Sequence, residues 1–399
     1  MSVVVRVAVP LPLYRLFDYL ADRLIAPGCR VQVPLGQRRM VGLVVASDIP
    51  PACDPSRLRP LDAVLDDRPM LDQSMLDFLL WAARYYHHPP GEAVLAALPS
   101  RLRRPCAPVG LEQTVIQLTA AGSEVIGSER LRRAPRQAEI LQWLSTQPGR
   151  EGLQTAFRQV FPAAASSLRA LERKGWLRLA QQAPAVVAGQ ASSDQLPVLS
   201  DEQAVAVDEL VRGLGAFSVA LLEGVTGSGK TEVYLRLAAS VLARGDAVMI
   251  LVPEIALTPQ LFRRFRDRLG SGVRLLHSGL ADAERELAWH EIRLGRGSVV
   301  LGTRSAVFTP VPRLGLVVVD EEHDPSLKQA EGYRYSARDL AIVRAQRAGC
   351  PVLLGSATPT LEMLHHCSTG RYIHLELPRR AGGAQPPRVQ LIDTVRSPP

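Results

Sequence analysis

Cysteine is scarce in this 399-residue chain and is poorly arranged for a structural role. The five cysteines, Cys29, Cys53, Cys106, Cys350 and Cys367, are odd in number and include no C-x-x-C pair. Neither a disulfide framework nor a cysteine zinc site is expected, and reduced thiols are. Long apolar runs are also missing. No stretch reaches about 18 uninterrupted apolar residues, so no membrane span is expected. The opening "MSVVVRVAVPLPLYRLFDYL" lacks the basic leader and long apolar run of a signal peptide. No internal repeat is visible. These absences point to a soluble, cytoplasmic protein.

What is present is length, apolar content and positive charge. A chain of 399 residues exceeds one compact core, so roughly two to four domains are expected. Hydrophobic residues make up 47%, enough to build cores. The formal net charge is +8, which suits a polyanion, nucleic acid before membrane. Charge alone does not decide this, since many basic soluble proteins bind neither.

Four regions separate by pattern, and together they read as an α/β multidomain chain. Residues 1–105 open with β-type runs, "VVVRVAVP" and then "CRVQVPLGQRRMVGLVVA", two strands joined around Gly36. The helical "MLDFLLWAARYYHHP" follows, so a small barrel-like β module with an appended helix is expected. In residues 110–180, "APRQAEILQWL" starts a helix with Pro135 in its first turn, and a second helix stops at Gly175 before a short strand. That order suits a winged helix, or an ordinary helical linker domain. Residues 181–198 are a linker by composition. From 199 to 399 short apolar runs alternate with helical ones: "SVALLEG", "AVMILVP", "VRLLH", "SVVLG", "LGLVVVD" and "PVLLGS". This is the pattern of a parallel sheet covered on both faces, an α/β nucleotide-binding layout.

"GVTGSGKT", from Gly224 through Val225, Thr226, Gly227, Ser228, Gly229 and Lys230 to Thr231, follows one of those strands and opens a helix. Glycines let backbone N–H groups turn around an anion, and the helix start adds its positive end. Lys230 is placed to reach the β and γ phosphates of ATP, and the Thr231 hydroxyl to ligate Mg²⁺. In "LGLVVVDEEHD" an apolar strand runs into Asp320, Glu321, Glu322 and His323. Asp320 can hold the Mg²⁺ shell, and Glu321 can orient and deprotonate a water. Lys230, Asp320 and Glu321 are thus the catalytic candidates. "RLRRP" at 101–105 and "LRRAPR" at 131–136 are basic clusters, usually solvated faces but also plausible phosphate contacts.

The Asp320–His323 box, with "GSATPT" (Gly355–Thr360) beyond it, resembles a superfamily 2 helicase. "VPEIALTPQ", "GTRSAVFTP" and "DEEHDPSLKQAEGYRYSARDLA" narrow the resemblance to the PriA family of bacterial replication-restart helicases. "PLYRLFDYL", "VPLGQR" and "YYHHPPGE" resemble that family's DNA-end-binding domain. The resemblance implies a 3′ DNA-end-binding domain over 1–105, a winged-helix DNA-binding domain over 110–180 and a RecA-like ATP-binding lobe over 199–399.

It also implies roles for individual residues. Gln203 would contact the adenine. Phe17, Asp18, Tyr19, Gly36 and Arg59 would read the 3′ end of a strand. Arg304 would face the DNA strand or relay its binding. Tyr333 and Tyr335 would stack on bases, with Lys328, Arg334 and Arg338 on phosphates. His323, Ser356 and Thr358 would couple the DNA groove to hydrolysis. The implied partners are forked and single-stranded DNA, primosomal proteins, single-strand binding protein and a replicative helicase loader. Two other readings are a non-motor scaffold that marks forks and an unrelated nucleotide-dependent switch.

The family pattern continues into a second lobe carrying an arginine finger and a cysteine cluster for zinc. This sequence ends at "PPRVQLIDTVRSPP", so a fragment, a truncated product or one half of a split protein is expected, weak as a motor alone and without zinc.

Overall fold

The computed structural model describes residues 2–106, 108, 113–131, 134–153, 157, 160, 161, 164–182 and 196–381. Most of the 181–198 segment, part of the 131–136 cluster and the 386–399 tail lie outside these residues. The chain forms two compact units, Met1–Pro108 with Val187–Pro399, and Val109–Val186.

The first unit opens with strands β1 Val3–Ala8, β2 Phe17–Ala21, β3 Arg30–Leu35, β4 Arg38–Ser47 and β5 Ala63–Val64. They pair antiparallel in the order β2-β1-β4-β3-β5. Strand alternation buries Val5, Val7, Val31, Val33 and Val44 in one cluster. Gly36 supplies the positive φ, 60°, that turns β3 into β4. Arg30 and Asp66 are wholly buried as an ion pair of 2.7 Å. Arg30 also donates to the carbonyls of Leu102 (3.0 Å) and Cys106 (3.3 Å), which ties this sheet to the segment beyond its helices. Those helices are α1 Gln73–Tyr85, started by Asp72 accepting from the Met75 N–H, and α2 Pro90–Ala96, a second helix where one was expected.

The second unit contains β6 Gln113–Leu118, α3 Ala120–Glu124, α4 Pro135–Thr146, β7 Glu151–Leu153, α5 Ala165–Arg173 and β8 Leu177–Gln182. Its sheet runs β7-β6-β8. Ile140, Leu141 and Leu144 of α4 meet Leu168 and Leu171 of α5 in its core. Among the described residues, three helices accompany a three-stranded antiparallel sheet, an order compatible with the winged helix expected above.

The first unit resumes with α6 Asp201–Arg212, β9 Val219–Gly224, α7 Lys230–Ala243, β10 Ala247–Leu251, α8 Pro259–Leu269 and β11 Val273–Leu276. Then come α9 Asp282–Arg293, β12 Val299–Gly302, β13 Leu314–Val319, α10 Ala337–Ala348, β14 Val352–Ser356, α11 Leu361–Ser368 and β15 Ile373–Leu377. The seven strands are parallel in the order β11-β12-β10-β13-β14-β9-β15. Apolar side chains from α6, α7 and α8 cover one face. The other face shares a core with α1, α2 and α10, where Leu76, Leu79 and Leu95 join Leu221, Met249, Val317 and Leu354. The N-terminal helices therefore complete the burial of the parallel sheet.

Helix α9 carries much of this attachment. Trp289 Nε1 donates to the Ala97 carbonyl (3.1 Å), Ser100 Oγ to Asp282 (2.7 Å) and Arg293 to the Pro69 carbonyl (3.1 Å). His290 is buried beneath them, with Glu286 Oε1 3.7 Å from its Nε2. Burial first, then Arg293 and Arg30, depress its pKa to about 4, against a weaker pull upward from Asp66. The unfolded chain, with a pKa of about 6.5, then binds the proton more readily than the folded one. The stability that His290 contributes is present in full above pH of about 6.5 and is lost as pH falls toward about 4. Urea midpoints at pH 7.5 and 5.5 should fall further for the native chain than for His290→Gln. Equal falls would show that this imidazole stays out of the transition.

Candidate nucleotide site and nucleic-acid interface

In a parallel sheet, ligand groups gather at the carboxyl ends of the strands. Three neighbouring strands place the candidate residues there: β9 leads into the P-loop, β13 into Asp320, and β14 ends at Ser356.

The loop is bent by Gly227 and Gly229, with φ of 81° and 85°, and Gly229 caps α7. A Cβ on Gly229 would lie 2.3 Å from Gln203 Nε2, so the close approach needs glycine as well. Gln203 is the reason for that crowding. Its Nε2 donates to the Ser228 carbonyl (2.8 Å), and its Oε1 accepts from the Ser200 N–H (3.0 Å) in a capping box that starts α6. Lys230 is buried and turned inward, its Nζ donating to the Gly224 carbonyl at 2.8 Å with Glu321 Oε1 3.8 Å away. Ser228 is 2% exposed, and its Oγ has no hydrogen-bond partner among the described residues. An orphaned hydroxyl, a buried ammonium and a helix start within one glycine-bent loop fit a phosphate chain. Thr231 is half-buried beside them.

Asp320 accepts from Tyr234 Oη at 2.8 Å, and its own N–H donates to the Leu251 carbonyl at 2.8 Å. Burial pushes its carboxyl above the usual value; Tyr234 and Lys230 oppose that, and Glu321 adds to it. A cation at this carboxylate would favour its charged form. Glu321 has φ of 46°, a left-handed conformation uncommon outside glycine and of the kind that concentrates at functional positions. His323 Nδ1 lies 2.7 Å from Ser356 Oγ, and the same oxygen accepts from the exposed Thr358's N–H at 3.0 Å. His323, Ser356 and Thr358 are thus one connected group.

Other expected residues are placed differently. Tyr333 and Tyr335 are 9% and 7% exposed. Tyr333 stacks on His88 (4.7 Å between centroids), and Tyr335 meets Phe308 edge-on (4.7 Å). Tyr86 Oη accepts from the Ser336 N–H at 3.2 Å, so the "YYHH" turn covers this loop. As placed, both rings are core and present no face to a base. Arg338 is likewise turned inward, bonded to Glu322 (2.9 Å) and to Thr360 Oγ (3.3 Å). Arg304 donates to the carbonyls of Ser326 and Lys328, each at 2.9 Å, and so braces the loop after the acidic run. Lys328 and Arg334 are exposed on that loop.

At the N-terminal sheet, Arg59 donates to the Gly36 carbonyl (3.5 Å), and Arg15 lies over the Phe17 ring (5.0 Å). Tyr19 faces the core, with its Oη on the Pro34 carbonyl (3.2 Å). Both oxygens of Asp18 are taken, by Arg6 at 2.8 and 3.0 Å and by the Ala52 N–H at 2.7 Å. Burial raises the Asp18 pKa, but the Arg6 and Ala52 hydrogen bonds outweigh it and hold the carboxyl below its ordinary range. Sequence reading gave no role to Arg6, Tyr234, Glu322 or Thr360, although Glu322 and Thr360 lay inside the quoted blocks. Tyr234 lies one helical turn beyond Lys230 on the same face.

Residues 6–99 match the 3′DNA-binding domain (3′BD) family, and residues 200–366 match the DEAD/DEAH box helicase family. The helicase match implies use of ATP. The chain is 39% identical to the replication restart protein PriA of Haemophilus influenzae over 98% of its own length and 54% of the relative's. It is 33% identical to that of Chlamydia pneumoniae over 92% of this chain and 50% of the relative. For the Synechocystis protein the values are 43% identity over 64% of this chain and 32% of the relative. The chain thus spans about half the length or less of these curated relatives. No described helix is long and apolar enough to cross a membrane. Over that shared half, the chain is similar to the PriA replication restart proteins, with one stretch matching a 3′DNA-binding domain and another a DEAD/DEAH box helicase.

Proposed function

We propose that this chain recognises forked DNA bearing a 3′ end and binds ATP·Mg²⁺, as part of a 3′-to-5′ replication-restart DNA helicase. One observation carries the reading. The P-loop, the Asp320–His323 run and Ser356 converge at the ends of adjacent strands, on a sheet whose core also holds α1 and α2 of the 3′DNA-binding region.

The loop N–H groups and the start of α7 would hold the phosphates, with Lys230 leaving Gly224 to neutralise them. Gln203 stands beside the loop, where it would meet the adenine. Thr231 and Asp320 would hold Mg²⁺, which supplies charge neutralisation to the phosphates when bound. Glu321 would orient the attacking water and take its proton. The His323–Ser356–Thr358 group would relay DNA contact to that water. Phe17, Gly36 and Arg59 would line the end pocket, with Asp18 fixed by Arg6 behind them. Primosomal proteins, single-strand binding protein and a helicase loader are the partners this role requires.

The test compares binding to a fork whose leading strand ends in a 3′-OH with binding to the same fork ending in a 3′-phosphate. The 3′-OH fork should bind several-fold tighter, and all binding should weaken steeply with salt. Arg59→Ala should erode the preference without changing stability, because its side chain is exposed. Asp18→Ala should remove the preference and also destabilise the sheet, because it strands Arg6. Equal affinity of the native chain for both forks would defeat the end-recognition reading. Intact fork binding with no nucleotide binding would leave a fork-marking scaffold instead.

A further inference from the structure

Tyr234 lies where three parts of the nucleotide site meet. It sits on α7, one turn past Lys230, and is 1% exposed. Its Oη donates to Asp320 Oδ1 at 2.8 Å. On the other side is Gly355 of β14, the residue before Ser356. A Cβ on Gly355 would stand 1.7 Å from Tyr234 Oη and 3.3 Å from Asp320 Oδ1. The hydroxyl therefore fills the space a side chain at 355 would take, and it touches the P-loop helix, the acidic strand end and the Ser356 strand together.

We infer that Tyr234 is a positioning residue that orients the Asp320 carboxylate for its cation. The inference rests on the proposal that Asp320 holds Mg²⁺. A carboxylate with both oxygens free rotates about its last bond and meets a cation in several ways. One oxygen held by a buried donor fixes the plane of the group and leaves the other oxygen for the metal. Such outer contacts typically change metal affinity by about 10–100-fold. Among the described residues the Glu321 backbone N–H also bonds this carboxylate, but Tyr234 is the side chain that donates to it. Lys230 points to the Gly224 carbonyl and Glu321, and the Asp320 N–H is spent on Leu251.

A purely structural role must be separated from this one, since a buried hydroxyl also needs a partner for stability. The experiment titrates Mg²⁺ into the chain with a fluorescent ATP analogue, for the native protein and Tyr234→Phe, and repeats the binding in EDTA. Phenylalanine keeps the ring and its packing. The Mg²⁺ concentration for half-maximal binding should rise about tenfold in the variant. Affinity in EDTA should stay within about twofold, which also shows that the variant is folded. Unchanged Mg²⁺ dependence overturns the inference while leaving the nucleotide site in place. So does an equal loss with and without Mg²⁺, the pattern of a structural defect. A native chain that binds the analogue under neither condition overturns both the inference and the nucleotide reading.

Discussion

Lys230→Ala is expected to lower ATP affinity by at least about 100-fold, with little change in the stability of the nucleotide-free chain. The two halves of that expectation have different causes. In the free protein Lys230 makes one hydrogen bond, to the Gly224 carbonyl, and has a loose 3.8 Å approach to Glu321. Loss of one such bond costs about 1 kcal/mol. With a triphosphate in the loop, the same ammonium makes charge-assisted bonds to two phosphate groups. Each is worth about 1.5–3 kcal/mol, so about 3 kcal/mol or more is lost, which is the 100-fold. No other cation among the described residues is paired into the loop, so no neighbour compensates. Calorimetric titration of ATP with excess Mg²⁺ measures the affinity, and thermal unfolding without nucleotide measures the stability. Unchanged affinity would remove the phosphate assignment from Gly224–Thr231. A large stability loss in the free chain would instead make Lys230 a structural residue of the loop.

What could be read from the sequence follows the distance over which each feature is determined. The P-loop is local: its glycines, its lysine and the helix it opens lie within a few residues, and motif spacing places them. Six of the seven strands of the parallel sheet were legible for the same reason, because a buried strand is a short continuous apolar run. The seventh, β15, was not. It is an edge strand reading "IHLEL", with His374 and Glu376 turned to solvent, and it shows no such run. Of α1 only its helical character was legible. That its apolar face completes the core of a sheet more than a hundred residues away is a tertiary fact. Side-chain commitments were hardest to see. Tyrosines and arginines interleaved in "EGYRYSARD" have the composition of a single-strand platform. The composition does not show that His88 and Phe308 arrive to sandwich Tyr333, or that Glu322 arrives to claim Arg338.

The three cations expected on DNA phosphates, Lys328, Arg334 and Arg338, should therefore behave in two ways. Arg338→Ala is expected to destabilise the chain by about 3–5 kcal/mol, the usual cost of leaving one member of a buried ion pair uncompensated. Its side chain is 12% exposed, and that of its partner Glu322 is 0% exposed. Glu322 also accepts from the Thr360 N–H at 2.8 Å and from Thr360 Oγ at 3.2 Å. Those bonds persist in the variant but supply no positive charge, so the carboxylate stays buried and unpaired. Glu322→Gln together with Arg338→Met, which removes both charges, should recover much of the loss. Lys328→Ala and Arg334→Ala remove exposed side chains and should change stability by no more than about 0.5 kcal/mol. If they meet phosphates, each should reduce the slope of log affinity against log salt for single-stranded DNA by about 0.7. Arg338→Ala should leave that slope unchanged under conditions where the variant is folded. Urea unfolding gives the first quantity, and binding isotherms across a salt series give the second. Full stability in Arg338→Ala, with a slope reduced as in the other two, would mean that its guanidinium faces the DNA and that the bond to Glu322 is dispensable.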